Sequence, residues 1–384
     1  MFFTLYSDSD GVYPVGGIGN PRTGNRWPCR WRGACQRSQR CIEYRLPEKM
    51  EARPPVRYVG MHTLLEKAAA RIAAGTAPLE NTAEAVELAR LPRSENPDIF
   101  ACAALARARF AGPVFTCAII NAKSGRCAEN CAFCAQSSFH HTDAPVYGLV
   151  GTDVLLKHAE EMAAHGVKRF GIVTSGTTVS DRDLDSLCES ARILRDRVDI
   201  ALCGSLGILT REKLRRLKEA GFTSIHHNLE TARSHFASIC TTHDYDQDIA
   251  TLKDARDAGF RVCSCGIFGL GETWEQRVEL LETEKECGVD SLPVNLLDPV
   301  PGTRMEHQKL LEPWEALRCV ALARLVSPEK DVILCGGRLP TLGDGSSWAL
   351  AAGANGIMTG NYLTTKGCGY DDDDAMFRFL GVRG

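Results

Sequence analysis

The chain has 384 residues and a formal net charge of −3, and 44% of its residues are hydrophobic and 24% charged. Such a chain is long enough for one large globular domain or two modest ones, and its near-neutral charge argues against nucleic-acid binding. It has no apolar run of ~20 residues that would span a membrane and no signal peptide, so we expect a cytoplasmic protein.

Residues 1–60 differ in composition from the rest of the chain. The stretch "GVYPVGGIGNPRTGNRWPCRWRGACQRSQRC" is rich in Gly, Pro and Arg and has no helical or strand periodicity, which predicts disorder. Cys29, Cys35 and Cys41 are alternative metal ligands, although they form no tight CxxC pair. We favour a leader foreign to the native protein, with translation beginning at an internal methionine where helical patterning starts.

Residues 61–384 are predicted to form one domain, with N-terminal helices over 61–112, a barrel over 113–366 and a C-terminal tail or helix over 367–384. In the middle segment, short apolar runs alternate with amphipathic segments that often end in Gly. The runs are "PVFTCAIINA", "VKRFGIVTSG", "DIALCGSLG", "TSIHHNLET", "RVCSCGIFGLG", "SLPVNLLDP", "DVILCGG" and "GANGIMTGN". About eight strand–helix units predict an α/β fold, a (β/α)8 barrel of the TIM type, with an open doubly wound sheet as the alternative. In both folds the chemistry lies at the C-terminal ends of the strands.

Seventeen cysteines in a chain without a signal peptide indicate metal ligands and buried free thiols rather than disulfides. Six of them lie in helical or apolar stretches and are interpreted as small core hydrophobes: Cys102, Cys117, Cys188, Cys240, Cys287 and Cys319.

Three other cysteines lie close together in "CAENCAFC", directly after the first predicted strand. Thiolates of Cys127, Cys131 and Cys134 at this spacing can hold three irons of a 4Fe–4S cluster and leave the fourth iron open to a chelating ligand. Phe133 is placed to pack against a bound adenine ring. A zinc site with a distant fourth ligand is the alternative, but zinc usually takes paired ligands from two separate segments.

The CxxxCxΦC pattern after strand one resembles the radical S-adenosylmethionine superfamily. In that superfamily the open iron binds S-adenosylmethionine, and one electron from the cluster cleaves it to a 5′-deoxyadenosyl radical. Further motifs narrow the resemblance to the biotin synthase family over roughly residues 61–380. They are "SGRCAENCAFCAQSS", "HHNLET", "ICTTHDY", "RVCSCGIFGLGET", "VNLLDPVPGT", "LCGGR" and "GANGIMTGNYLTT".

The resemblance assigns roles to individual polar residues. Asn228 and Glu230 match the family's Asn and acidic residue that hold S-adenosylmethionine, with Glu here where the family usually has Asp. Alternation along strand four would point both into the barrel mouth. Gly269 lies in the stretch assigned to the adenosine half, and Asn295 matches an Asn that holds the ureido ring of dethiobiotin. Turn chemistry for Gly269 and a local backbone bond for Asn295 are the alternatives.

The resemblance also implies an auxiliary 2Fe–2S cluster that donates sulfur. Cys203, Cys263 and Arg338 match three of its ligands, but the strand-two position is Gly171, which has no side chain to offer. We therefore expect a rearranged auxiliary iron–sulfur cluster. Its expected ligands are Cys203, Cys263 and Cys265, together with Arg338 from the family pattern, and Cys335 is a further candidate. Cys265 is expected to face the interior with Cys263. Buried thiols and an incomplete or missing cluster are the alternative.

The function implied by the resemblance is insertion of sulfur into dethiobiotin to form biotin. It further implies a homodimer and a reductant such as flavodoxin or ferredoxin, without a nucleic acid or membrane partner. One alternative is a related radical S-adenosylmethionine enzyme, a cofactor maturase or a C–C or C–N bond-forming enzyme. The other is a non-catalytic zinc or scaffold protein.

Overall fold

Three helices precede the first strand in the computed structural model, which describes residues 60–382. The helices are α1 (Thr63–Ala74), α2 (Thr82–Arg90) and α3 (Asn96–Phe110), with a 3₁₀ turn over Arg93–Glu95. The Asn81 side chain caps α2 by accepting a hydrogen bond from the Glu84 amide at 3.0 Å. The predictions for residues 1–59, including the three cysteines there, lie outside the described residues.

A closed sheet of parallel strands forms the centre of the fold. The strands are β1 (Phe115–Lys123), β2 (Arg169–Thr174), β3 (Ala201–Ser205), β4 (Ser224–His226), β5 (Arg261–Cys263), β6 (Ile267–Phe268), β7 (Ser291–Leu296), β8 (Asp331–Leu334) and β9 (Gly356–Met358). Strand β1 pairs with both β2 and β9, and β5 and β6 both pair with β7. Because β5 and β6 together occupy one strand position, the sheet is the predicted eight-position barrel. The (β/α)8 prediction is confirmed.

Helices cover the outside of the barrel. They are α4 (Thr152–Ala164), α5 (Asp181–Arg197), α6 (Arg211–Ala220), α7 (Arg233–Ile239), α8 (Tyr245–Asp257), α9 (Trp274–Cys287), α10 (Pro313–Val326), α11 (Arg338–Leu342), α12 (Trp348–Ala351) and α13 (Tyr370–Phe379), with a 3₁₀ turn over Gly343–Ser347. Thr273 and Gln276 form a capping box that begins α9, and Gly288 ends it with a φ of 70°. Within residues 60–382, no helix is both long and apolar enough to cross a membrane.

The two faces of the strands separate the hydrophobic core from the barrel interior. On β1, Ile120 and Ala122 are buried in the main apolar cluster, which lies between strands and helices. Cys117 and Ile119 alternate with them and line a cavity inside the barrel. The same alternation brings side chains from several strands to this cavity, which extends to the C-terminal ends of the strands.

Candidate active site

The cavity is bounded by strand residues within the barrel and by loops at its mouth. Phe133 and Cys134 reach it from the loop after β1, and Tyr362, Leu363, Thr364 and Thr365 reach it from the segment after β9. Most of the wall is apolar, with Ile119, Val173 and Ile333 among its members. A cavity of this kind suits a small ligand that has an aliphatic part and a few polar groups.

The loop that carries the three predicted cluster cysteines folds back on itself. The Cys127 amide donates to the Gln136 carbonyl at 3.0 Å, and the Ser138 amide donates to the Cys127 carbonyl at 2.8 Å. Cys127, Cys131 and Cys134 are all partly exposed, and Cys134 lines the cavity. Burial raises the pKa of the Cys134 thiol to about 11. The loop thus presents three accessible thiols at the barrel mouth, and a metal must displace their protons on binding.

Asn228 and Glu230 both line the cavity, as predicted from the sequence, although β4 ends earlier, at His226. Asn228 Nδ2 lies 3.4 Å from Glu230 Oε2. Asn228 Oδ1 is buried and has no hydrogen-bond partner in the described part of the chain. Glu230 adopts a φ of 64°, so a left-handed backbone, rather than strand alternation, aims its side chain. Burial and the negative charge of Asp248 raise the pKa of Glu230 to about 8.

The backbone turn at Glu230 depends on a glycine in the neighbouring strand position. A β-carbon on Gly266 would lie 2.4 Å from the Glu230 carbonyl oxygen. That carbonyl accepts a hydrogen bond from the Ile267 amide at 2.8 Å. Gly266 therefore allows the close approach that places Glu230 at the cavity.

Of the other predicted ligand-binding residues, Phe133 lies at the cavity and Gly269 does not. Phe133 packs against a small apolar cluster formed by Ala132, Ile239, Leu270 and Leu297, and it also faces the cavity. Gly269 is not among the described residues that line the cavity. Its φ is 101°, and a β-carbon there would lie 3.1 Å from Leu311, so its observed role is in the turn.

Asn295 combines the two interpretations that the sequence left open. It lines the cavity, and its Nδ2 lies 3.2 Å from the Pro293 carbonyl oxygen. Its Oδ1 accepts a hydrogen bond from the Gly336 amide at 3.1 Å. Hydrogen bonds to the backbone therefore orient the Asn295 amide, and the side chain still lines the cavity where a ligand would bind.

Four thiols line the deeper part of the cavity, one from each of four strand positions: Cys117, Cys203, Cys263 and Cys335. The Cys263 Sγ lies 3.4 Å from Nδ1 of His226, which also faces the cavity. Burial raises the pKa of Cys203 to about 11 and lowers that of His226 to about 4. His226 is therefore neutral at physiological pH.

A cation accompanies these thiols. The Arg169 side chain lines the same cavity, and its Nη2 lies 2.6 Å from Asp331 Oδ2. Its guanidinium carbon lies 4.3 Å from the centre of the Phe115 ring. The ion pair and the ring fix the guanidinium, and its charge favours thiolates at Cys117 and Cys263.

Sequence comparisons identify the family. Residues 122–283 match the model of the radical SAM superfamily, and residues 293–383 match the Biotin and Thiamin Synthesis associated domain. The chain is 57% identical over 309 residues to a biotin synthase of Nitratidesulfovibrio vulgaris (Miyazaki F), covering 78% of this chain and 85% of that protein. It is 48% identical over 324 residues to a biotin synthase of Citrifermentans bemidjiense, covering 84% of this chain and 98% of that protein. The chain belongs to the biotin synthase family.

Solved structures with the same fold come from more distant proteins. Methylornithine synthase has a TM-score of 0.69 and 18% identity, covering 82% of this chain and 95% of that one. The FeFe-hydrogenase maturase from Carboxydothermus hydrogenoformans has a TM-score of 0.69 and 15% identity, covering 82% of this chain and 78% of that one. At these identities the likeness concerns the barrel alone.

Within the biotin synthase family, the deep part of this cavity departs from the ligand set that the sequence motifs suggest. Cys265 is fully buried and is not one of the described lining residues, because β5 ends at Cys263 and the chain turns before β6. Arg338 also lies outside the lining, where its Nη2 is 2.6 Å from Asp373 Oδ2. Cys117, which the sequence pattern assigns to the apolar core, lines the cavity instead.

The structure explains why Gly171 is compatible with this arrangement. Gly171 also lines the cavity, and a β-carbon there would lie 2.9 Å from Ile119 Cγ2. The Ile119 side chain thus occupies the space that a strand-two side chain would need. Cys117 lies two residues before Ile119 on the same face of β1 and offers a thiol from the neighbouring strand.

A buried polar cluster behind the cysteine loop is also absent from the sequence predictions. The Glu129 carboxylate accepts hydrogen bonds from the Thr177 and Thr242 hydroxyls, and its Oε2 lies 2.7 Å from His243 Nδ1. Potential ligand atoms of Glu129, Cys240 and His243 lie within 4.8 Å of one another. Glu129 lies in "CAENCAFC", and Cys240 and His243 lie in "ICTTHDY", but no spacing in either motif indicates that these side chains meet.

Proposed function

We propose that the chain converts dethiobiotin to biotin by inserting one sulfur atom between two unactivated carbons. Membership of the biotin synthase family supports this activity. The observation that carries it to this chain is one cavity that four strand thiols line in its depth and that the three-cysteine loop reaches at its mouth through Cys134. When bound, the mouth cluster with S-adenosylmethionine supplies a carbon-centred radical, and the deep cluster supplies sulfur.

The residues at the mouth fit a 4Fe–4S cluster with an open iron. Cys127, Cys131 and Cys134 supply three thiolates from one loop, which is the ligand number for a cluster with one free corner. Asn228 Oδ1, which has no partner within residues 60–382, is available to accept a hydrogen bond from an amino group of S-adenosylmethionine. We propose that Glu230 accepts hydrogen bonds from the ribose hydroxyls and that Phe133 packs on the adenine.

The residues in the depth of the cavity fit an auxiliary iron–sulfur cluster with four thiolate ligands. We propose that these ligands are Cys117, Cys203, Cys263 and Cys335. Four thiolates from four strands match the ligand number of a closed iron–sulfur site. Arg169 lies beside them as a fixed cation that offsets part of the negative charge of such a cluster.

Dethiobiotin would then lie between the two clusters. Its aliphatic part suits the apolar wall that includes Ile119 and Val173. We propose that the Asn295 amide contacts its ureido ring, because an amide both donates and accepts hydrogen bonds. Tyr362 and its neighbours also line the cavity, and we propose that they keep water away from a radical there.

An anaerobic product assay tests the function. The reconstituted chain is incubated with dethiobiotin, S-adenosylmethionine and dithionite, and biotin and 5′-deoxyadenosine are quantified by mass spectrometry. We expect both products, and neither from the Cys127/Cys131/Cys134→Ala variant. Deoxyadenosine without biotin would favour a related radical enzyme, and zinc in place of iron would favour a non-catalytic protein.

Three further properties stay predictions. We propose that a flavodoxin or ferredoxin supplies the electron, that the chain forms a homodimer and that it acts in the cytoplasm. Size-exclusion chromatography with light scattering measures the oligomeric state directly.

A further inference from the structure

Cys240 lies against one of the three cluster cysteines although it is distant in sequence. Its Sγ is 3.7 Å from Cys131 Sγ, and only 2% of its surface is exposed. The residue follows α7, and the Arg304 guanidinium donates to the Ile239 carbonyl beside it at 2.7 Å. The Cys131 side of the loop is also fixed, because the Ala132 amide donates to the same Ile239 carbonyl at 2.9 Å. The two hydrogen bonds to the Ile239 carbonyl thus fix the chain on both sides and keep the two sulfur atoms close to each other.

Few hydrogen-bond acceptors other than Cys131 lie near the Cys240 thiol. Thr242 Oγ1 lies 3.3 Å and His243 Nδ1 lies 3.4 Å from the sulfur. Both of these groups donate to Glu129 Oε2. That oxygen is 3.9 Å from Cys240 Sγ and already accepts two hydrogen bonds. Once Cys131 binds iron, its sulfur is an anionic acceptor 3.7 Å from Cys240 Sγ, nearer than Glu129 Oε2 and stronger than the neutral Thr242 hydroxyl.

The His243 ring lies between two carboxylates and is not free to bind a metal. Its Nδ1 is 2.7 Å from Glu129 Oε2 and its Nε2 is 3.1 Å from Asp248 Oδ2. Asp248 in turn contacts His227 Nε2 at 2.8 Å. Because both ring nitrogens of His243 donate to carboxylates, the ring is an imidazolium and has no lone pair for a cation. The cluster of Glu129, Cys240 and His243 therefore orients the thiol rather than forming a separate metal site.

We propose that Cys240 is a positioning residue that donates an S–H···S hydrogen bond to the iron-bound Cys131 thiolate and thereby raises the reduction potential of the mouth cluster. This inference rests on the proposed function, since it requires a cluster on Cys131. An iron-bound Cys131 has lost its proton, so it accepts a hydrogen bond and cannot donate one. The bond is stronger when the cluster carries one more electron, because the sulfur is then more negative.

The hydrogen bond also has a consequence for the cleavage of S-adenosylmethionine. A donor at one ligand sulfur makes the cluster easier to reduce by a physiological electron donor. The mouth cluster shares its loop with cavity-lining residues, so a polar group placed inside the cavity would compete with substrate. Cys240 follows α7 and is not among the described residues that line the cavity, so its hydrogen bond leaves the cavity free.

The experiment compares the midpoint potential of the mouth cluster in the full reconstituted chain and in Cys240→Ala. The reduced cluster is followed by electron paramagnetic resonance in a redox titration without substrate, and its signal is identified by its response to S-adenosylmethionine. We expect the ratio of reduced to oxidised cluster at a fixed potential to fall about threefold in Cys240→Ala. For one electron this is a shift of about 28 mV to lower potential, on the basis of 59 mV for a tenfold change. Cys240→Ser keeps a donor, and we expect its potential to lie closer to that of the wild type.

Controls separate this effect from a general loss of packing. Cys188 is also a buried thiol, 3.7 Å from the Arg216 carbonyl oxygen on the outside of the barrel, and Cys188→Ala should leave the potential unchanged. Unchanged potentials in both Cys240 variants would overturn the inference, and so would loss of cluster iron in Cys240→Ala or stoichiometric zinc that disappears with Cys240. If the wild-type chain shows no cluster signal that responds to S-adenosylmethionine, the proposed function fails instead.

Discussion

The Arg338 guanidinium and the Asp373 carboxylate form a buried ion pair, with 2.6 Å between Nη2 and Oδ2 and side chains only 1% and 4% exposed. The pair joins the segment after β8 to helix α13. Arg338 also lies 3.2 Å from the Tyr362 hydroxyl and 3.3 Å from the Met358 carbonyl oxygen. It therefore fixes the segment that brings Tyr362 over the cavity, and its observed contacts are structural.

Replacement of Arg338 should lower stability without removing auxiliary iron. Arg338→Ala leaves the Asp373 carboxylate buried and unpaired, and we expect a loss of about 3–5 kcal/mol in the free energy of unfolding. Urea unfolding measures the loss, and iron and sulfide counts on folded protein should equal those of the wild type. The exposed Arg215, 57% exposed and paired with Glu219, is the control, and Arg215→Ala should cost under about 1 kcal/mol. Selective loss of auxiliary iron from folded Arg338→Ala would instead support ligation.

The two candidate auxiliary ligands Cys117 and Cys265 should behave differently on substitution. We expect Cys117→Ser to lose auxiliary iron and biotin formation, because its thiol faces the cavity. Cys265→Ser should retain both, because Cys265 is fully buried and is not among the described residues that line the cavity. Iron and sulfide analysis together with Mössbauer spectra separates auxiliary iron from mouth iron. The opposite pattern, with iron lost only from Cys265→Ser, would contradict the proposed ligand set.

The apolar runs of the sequence predicted the barrel because each run has the length and flanking turns of a buried parallel strand. The mouth loop was predicted because its three cysteines are close in sequence. The proposed interior ligand set differs from the expected one, because Cys117 and not Cys265 lines the cavity. Strand alternation indicates that Cys263 and Cys265 share a face only if the strand continues, and here β5 ends at Cys263.

Local sequence patterns could not predict the contacts between residues that are far apart in the chain. The direction of the Arg338 side chain is decided by Asp373, 35 residues later. The contact between Cys131 and Cys240 spans 109 residues. Cys131 belongs to a recognisable motif, but Cys240 lies in a stretch whose pattern is that of a buried helix end, and nothing in that pattern indicates Cys131 as its neighbour. Only the closure of the barrel brings these pairs together.

The unpartnered oxygen of Asn228 leads to a prediction on cofactor binding. Asn228→Ala should weaken the binding of S-adenosylmethionine by about tenfold, since one hydrogen bond in a buried site contributes about 1 kcal/mol or more. Isothermal titration calorimetry on the reconstituted chain measures the affinity, and iron counts should be unchanged. Ser238→Ala, on the exposed side of α7, should have no effect. Equal affinities in all three proteins would show that Asn228 does not contact the cofactor.

The carboxyl group of Glu284 should make stability depend on pH. Glu284 is fully buried on α9 and lies 2.9 Å from the Ser264 hydroxyl, and its Oε2 has no partner among the described residues. Burial raises the pKa of this carboxyl well above the ordinary value of 4.5. The folded chain therefore holds a proton that the unfolded chain releases above about pH 4.5. Stability from this group is complete below that pH and is lost as the pH rises towards the folded pKa.

The expected measurement is a difference between the wild type and Glu284→Gln, which cannot titrate. From about pH 4.5 up to the folded pKa, the wild-type free energy of unfolding should fall relative to the variant, with a limiting slope of about 1.4 kcal/mol per pH unit. Urea unfolding of the cluster-free chain at several pH values gives both curves. Glu286→Gln, an exposed position on the same helix, should parallel the wild type. A difference between wild type and Glu284→Gln that is constant with pH, or that grows in favour of the wild type, would mean that Glu284 is ionised in the folded protein.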